Sequence, residues 1–192
     1  MSDHPFSISP KDSLLLIIDL QERLSRVLDQ DILKKVCSNI NLLATLAFDQ
    51  KIPIVLTQQY PEGLGSTIEP IQKILEGKKI ETLDKLTFSC CGDTHFNKAL
   101  KNYKRKKIIL VGMETHVCVY LTAFGLVSQG YQPFVASDAV ISRSTFNYKN
   151  GLSLLDKSGS VVINTETLLF QLMGQSGTPT FKKISALLKE GA

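Results

Sequence analysis

The feature that most restricts this chain is the recurrence of short runs rich in Leu, Ile and Val, each followed by a longer segment whose apolar residues return every three or four positions. Continuous apolar runs of strand length suit parallel strands buried on both faces, and helical period between them supplies the crossovers. The pattern predicts a doubly wound, Rossmann-like α/β fold: three layers, α/β/α, around about six mainly parallel strands. Strands are expected over 14–20, 52–57, 107–111, 131–137 and 160–163, with a short one near 80–83. Ile32, Val36, Ile40, Leu43 and Ala47 mark an amphipathic helix over 32–48. Further helices are expected from Asp93 or Thr94, as N-cap, toward residue 103, over 117–128, around 148–156, from about 165, and over 179–189. Residues 58–70, with two Pro and two Gly, read as a long loop.

At 192 residues and 43% hydrophobic content the chain suits one domain, 1–192. Residues 1–12 read as a flexible, solvated arm, without the pattern of a secretory or transit signal. The net charge of +4 is modest and, apart from the run 101–107, dispersed, so no nucleic acid partner is implied. No apolar run is long enough for a bilayer, so no membrane partner is expected. The cysteines at 37, 90, 91 and 118 have no CxxC spacing and are expected as free thiols in a reducing, cytoplasmic setting.

In an open parallel sheet, ligands bind beyond the carboxyl ends of the strands. Three residues stand out there: Asp19 closes a wholly apolar strand, Lys85 follows the third strand, and Cys118 sits in the first turn of the helix after the fourth. A carboxylate at the end of LLLII needs a cationic or hydrogen-bonding partner, which Lys85 can be. A thiol near a helix N-terminus has its thiolate favoured by the helix dipole, and the same N–H groups can bind a developing oxyanion. A nearby carboxylate can serve as base for the thiol and as acid for the leaving amine. Taken one by one, each residue also has a plain structural role: a capping Asp, a solvated Lys, a buried Cys packed as a small hydrophobe.

The segments LLLIIDLQ, DKLTFS and VGMETHVCVYLTAFGLVSQGYQPFVASDAVISRS together resemble the isochorismatase-like cysteine hydrolases, in order and spacing, over most of the chain. GMETHVC and TETLLFQLMG are most similar to the isochorismatase domain-containing branch, with TPTFKKI in place of its HPxFKxI. The resemblance implies an isochorismatase-like fold with Asp19 as proton-transferring carboxylate, Lys85 as charge partner and Cys118 as nucleophile. It also implies an oxyanion hole from the backbone N–H groups of Glu114 and Cys118, and a cis peptide bond between Met113 and Glu114. Gln21 matches a frequent family residue, and Gln59, Tyr60, Phe88 and Thr115 are expected to line the substrate pocket. Nicotinamidases of the family carry a metal-binding Asp and two His after the second strand, where this chain reads TQQYPEGLGSTIEP. No metal and no organic cofactor are therefore expected. The implied activity is hydrolysis of a small amide, carbamoyl or related acyl compound by a homo-oligomer. Two alternatives stand beside it: vinyl-ether hydrolysis, as in isochorismatases that can lack the Cys, or a non-catalytic binding or redox-sensing protein.

Other residues carry plainer readings. His116, two positions before Cys118, should point elsewhere. His95 beside Asp93 belongs to a surface helix start, KNYKRKK to a solvated helix end, and Cys90 and Cys91 to buried thiols bordering the pocket.

Overall fold

The computed structural model describes residues 4–190. In chain order its elements are β1 (Ser13–Ile18), α1 (Glu22–Ser25), α2 (Gln30–Asp49), β2 (Ile54–Gln59), α3 (Pro61–Leu64), α4 (Glu69–Leu75), β3 (Glu81–Lys85), α5 (Thr94–Tyr103), β4 (Lys107–Met113), α6 (Tyr120–Ser128), β5 (Gln132–Ile141), α7 (Thr145–Lys157), β6 (Val161–Ile163), α8 (Thr165–Met173) and α9 (Pro179–Glu190). The strands form one sheet in the order β3-β2-β1-β4-β5-β6, and every pairing is parallel.

The strand period of two explains why the apolar runs are uninterrupted. Leu15, Ile17, Ile109 and Val111 face the layer built by α2, α4, α8 and α9, whereas Leu14, Leu16, Ile18, Ile108 and Leu110 face α5, α6 and α7. Both faces are covered, so both sets must be apolar. The chain runs outward from β1 to β3 and then outward again from β4 to β6, so β1 and β4 flank the switch point at the centre. Gly112 permits their close approach: its φ is +112°, and a Cβ there would stand 2.1 Å from the Ile18 carbonyl oxygen.

Several expectations need correction. Lys85 does not follow β3 but ends it. This strand, Glu81–Lys85, sits at the sheet edge, alternates half-buried and exposed side chains before the buried Lys85, and lacks the apolar run that marks the central strands. The expected loop over 58–70 contains the end of β2, the short α3 and the start of α4, which is masked by Pro70, a residue the helix accepts at its second position. Of the expected flexible arm, residues 1–3 lie outside the described residues. From Ser7 onward the segment touches the rest of the fold: Ile8 is buried in the core, the Lys107 ammonium donates to the Ser7 carbonyl, and Lys106 N–H donates to the Asp12 carbonyl at 3.1 Å. Among the described residues no helix is long and apolar enough to cross a membrane.

Candidate active site

Asp19 leaves β1 with a left-handed φ of +51°, which turns its side chain back beneath the strand ends, where it has no solvent exposure. Its carboxylate is fully paired. Oδ1 accepts from the Thr57 hydroxyl at 2.8 Å, and Oδ2 accepts from the Lys85 ammonium at 2.6 Å. Lys85 also donates to Gln59 Oε1 at 2.7 Å and, more weakly, to the carbonyls of Thr87 and Phe88, each at 3.3 Å. Burial alone would drive this lysine toward its neutral form, but the Asp19 carboxylate, by its charge and its hydrogen bond, holds its pKa above the ordinary value.

Cys118 lies one strand over, in a π-helical turn, Thr115–Val119, between β4 and α6. The sequence expectation placed it in the first α-helical turn; the wider turn arises where Val119 N–H reaches back five residues to the Glu114 carbonyl at 3.2 Å. Gly151 of α7 lies against this turn, and a Cβ there would come within 2.8 Å of His116 N. The Met113–Glu114 peptide bond is cis. The Glu114 side chain swings away to Arg143, accepting from its backbone N–H at 3.1 Å and from its guanidinium at 3.2 and 3.1 Å.

The thiol does not behave as a helix-end cysteine should. Cys118 is only 7% exposed, and burial pushes its pKa upward; the Asp19 carboxylate, by its charge and by accepting the thiol's hydrogen bond, adds to that, and Lys85 offsets only part. In the resting site, desolvation and a like charge oppose the thiolate that the helix end favours. At rest these effects favour the protonated thiol. Cys90, wholly buried, is pushed up to about 12 by burial, with Lys85 opposing and Asp19 reinforcing. Its thiol lies 4.0 Å from Thr57 Oγ1, and its backbone N–H donates to the Thr122 hydroxyl at 3.0 Å.

The expected pocket residues divide. Gln21 is fully buried, and its amide is spent inside the protein: Oε1 accepts from Gln59 N–H at 2.7 Å, while Nε2 donates to the carbonyls of Gln59 at 3.0 Å and Gly65 at 2.8 Å. Gln59 is likewise occupied at both ends, accepting from Lys85 and donating to the Leu86 carbonyl at 2.8 Å. Both amides thus brace the strand ends that carry Asp19 and Lys85. Tyr60 and Phe88 are exposed at the rim, and Thr115 is buried with its hydroxyl unpartnered. His116 turns away from Cys118, its Nδ1 lying 3.1 Å from Ser142 Oγ. Sequence reasoning missed Thr57. Its signal was a hydroxyl in the otherwise apolar run IVLT, which parallel register sets beside Ile18, one residue before Asp19.

A family model described as the isochorismatase domain matches residues 13–167. The chain is 36% identical over 183 residues to the secreted isochorismatase effector Isc1 of Phytophthora sojae, which spans 94% of this chain and 86% of that protein. It is 33% identical over 184 residues to isochorismatase domain-containing protein 2 of Rattus norvegicus, over 95% of this chain and 84% of the other. Among solved structures, the MAR1 ribonuclease from Caenorhabditis elegans superposes with a TM-score of 0.87 at 31% identity, covering 95% of this chain and 92% of that one. With the sheet order, the strand-end cluster and these matches in agreement, the chain belongs to the isochorismatase family of hydrolases.

Proposed function

We propose that the protein hydrolyses a small amide, carbamoyl or related acyl compound through a covalent acyl-enzyme on Cys118. The observation that carries this reading is the buried Lys85–Asp19 ion pair, 2.6 Å long, whose carboxylate charge acts on the neighbouring Cys118 thiol. As sulfur attacks the substrate carbonyl, its proton passes to Asp19, and the carbonyl oxygen becomes an oxyanion held by the backbone N–H groups of Glu114 and Cys118. Asp19 then returns the proton to the departing nitrogen, leaving a thioester. Water, deprotonated by Asp19, attacks the thioester; the acid leaves and the thiol regains its proton. Lys85 stays charged throughout and keeps the carboxylate oriented. The reaction is metal-independent in this reading, because the chain has TQQYPEGLGSTIEP where nicotinamidases of the family place their metal-binding Asp and two His.

The test is a panel of small amides, ureido acids and a vinyl ether, assayed for ammonia and pyruvate release with the wild type and Cys118→Ala. Ammonia release that disappears in Cys118→Ala is expected. Pyruvate release from the vinyl ether that survives the substitution would replace this reading with the C–O hydrolase.

Nucleic acid is not among the partners we propose: the basic run 104–107 lies at the start of β4, at the opposite end of the strand from Cys118. We propose a homo-oligomer instead, on the exposed Leu86 (76%), Phe88 (60%) and Phe146 (78%); a monomer in light scattering would refute it. The four free thiols support a cytoplasmic location, which cell fractionation would contradict by finding the protein outside the cell.

A further inference from the structure

Lys85 is paired in register with Gln59 of β2, whereas Asp19 follows β1, on the other side of β2. The lysine side chain therefore crosses the end of β2 to reach its carboxylate, a span of two strand spacings, about 10 Å. The buried Gln59 meets it there. An ammonium has three protons to give. Lys85 donates to Asp19, to Gln59 Oε1 at 2.7 Å and to the Thr87 and Phe88 carbonyls, each at 3.3 Å. Of these acceptors Asp19 alone is charged, so the buried cluster sets one carboxylate against one ammonium.

The far side of the Gln59 amide fixes which atom faces the lysine. Nε2 donates to the Leu86 carbonyl at 2.8 Å; a carbonyl only accepts and an ammonium only donates, so the position calls for one donor and one acceptor without charge. A carboxylate there would set a second negative charge beside Asp19 and face Leu86 without a proton, and a hydrocarbon would take a neutral acceptor from the ammonium. The backbone of the same residue is clamped to the Asp19 segment. Gln59 N–H donates to Gln21 Oε1 at 2.7 Å, and the Gln59 carbonyl accepts from Gln21 Nε2 at 3.0 Å, two residues after Asp19. We infer that Gln59 is a positioning residue: its neutral amide holds Lys85 against Asp19 without adding charge, so that Asp19 stays the single anionic base beside Cys118. This rests on the reading of Asp19 as the acceptor of the Cys118 proton. The titratable groups that act on Lys85 are Asp19, Cys90 and Cys118. Of the nearby exposed carboxylates, Asp84 accepts from Gln58 Nε2 at 3.0 Å, and Glu22 stands against Gly65.

Labelling of Cys118 by iodoacetamide needs no substrate and reads the charge at position 59, whereas ammonia release from an amide reads the positioning. Gln59→Met adds no charge, so its labelling rate should stay within about twofold of wild type, while kcat should fall roughly tenfold with KM kept. Gln59→Glu should label roughly fivefold more slowly than Gln59→Met at about pH 8, because a second carboxylate opposes the Cys118 thiolate. The gap should close toward acid pH, as that carboxyl takes a proton and reproduces the donor and acceptor of the amide. Equal labelling of the two variants at every pH would overturn the charge role. A folded Gln59→Met with wild-type kcat would overturn the positioning role, and one with raised KM and unchanged kcat would make Gln59 a substrate contact instead. If no amide is turned over, the hydrolase reading falls and the labelling comparison decides; if Gln59→Glu does not fold, the kcat and KM of Gln59→Met decide.

Discussion

Asp19→Asn separates two effects of one carboxylate, because it should make Cys118 easier to alkylate while abolishing hydrolysis. In the resting protein the Asp19 charge opposes ionisation of the buried thiol. At a contact distance of about 4 Å and an effective dielectric of about 20, one unit charge acts on a thiolate by about 4 kcal/mol. Lys85, held against the same carboxylate, offsets part of this. If about half survives, ~2 kcal/mol, the thiolate population at fixed pH rises roughly 30-fold when the charge is removed. A less basic thiolate is also less nucleophilic, with a Brønsted slope of about 0.5, so the net gain in alkylation rate is roughly fivefold. Hydrolysis should fall by about 100-fold or more, since the proton acceptor is gone. The assay is iodoacetamide labelling at about pH 8, below the ordinary thiol pKa, read by peptide mass spectrometry. Leaving Lys85 without its counter-charge can cost about 3–5 kcal/mol, although Gln59 Oε1 and the Thr87 and Phe88 carbonyls remain to solvate it. Buried Cys37 and Cys90 therefore serve as internal controls, since unfolding would expose them too. Slower or unchanged labelling of Cys118 in a folded variant would refute the electrostatic account.

Thr57→Val removes the hydroxyl that donates to Asp19 Oδ1; a loss of about 1–2 kcal/mol in urea unfolding, together with a lower kcat, is expected, and unchanged turnover would detach Thr57 from the site. Burial holds the Cys37 and Cys90 thiols at about 11 and about 12, so the folded state keeps protons that the unfolded state releases. Stability should be intact below about pH 9 and fall from there toward pH 11–12, by up to about 1.4 kcal/mol per pH unit for each thiol. The raised Lys85 acts in the same direction at higher pH, since the unfolded lysine releases its proton first. Urea midpoints that hold steady or rise over this range would contradict both.

The central strands were legible because burial on both faces demands apolar runs, and LLLII, IVL and IILV each supply one. Asp19 and Cys118 were legible for the complementary reason: each interrupts or follows such a run at the end where parallel sheets bind ligands. Lys85 was harder, since ETLDK is an edge strand whose alternation looks like a surface loop. The roles of Gln21 and Gln59 depend on how β2 pairs with β1 and how the α3–α4 connection folds back onto the residues after β1, where Gly65, Thr67 and Ile68 meet Gln21 and Leu20, long-range contacts that no local pattern encodes. The direction of the Cys118 shift was misread for a similar reason. A helix end is visible in sequence, whereas the desolvation and the Asp19 charge that outweigh it come from packing against other strands.

The account stands most directly on a covalent intermediate at one sulfur. An amide that releases ammonia would be mixed with the wild type, quenched in acid during turnover, and the digest searched for the acyl mass. The account predicts that mass on the peptide bearing Cys118, removable by hydroxylamine and absent from Cys118→Ala. Full turnover with no acyl mass on Cys118, or with the acyl group on Cys90 or Cys91, would contradict it.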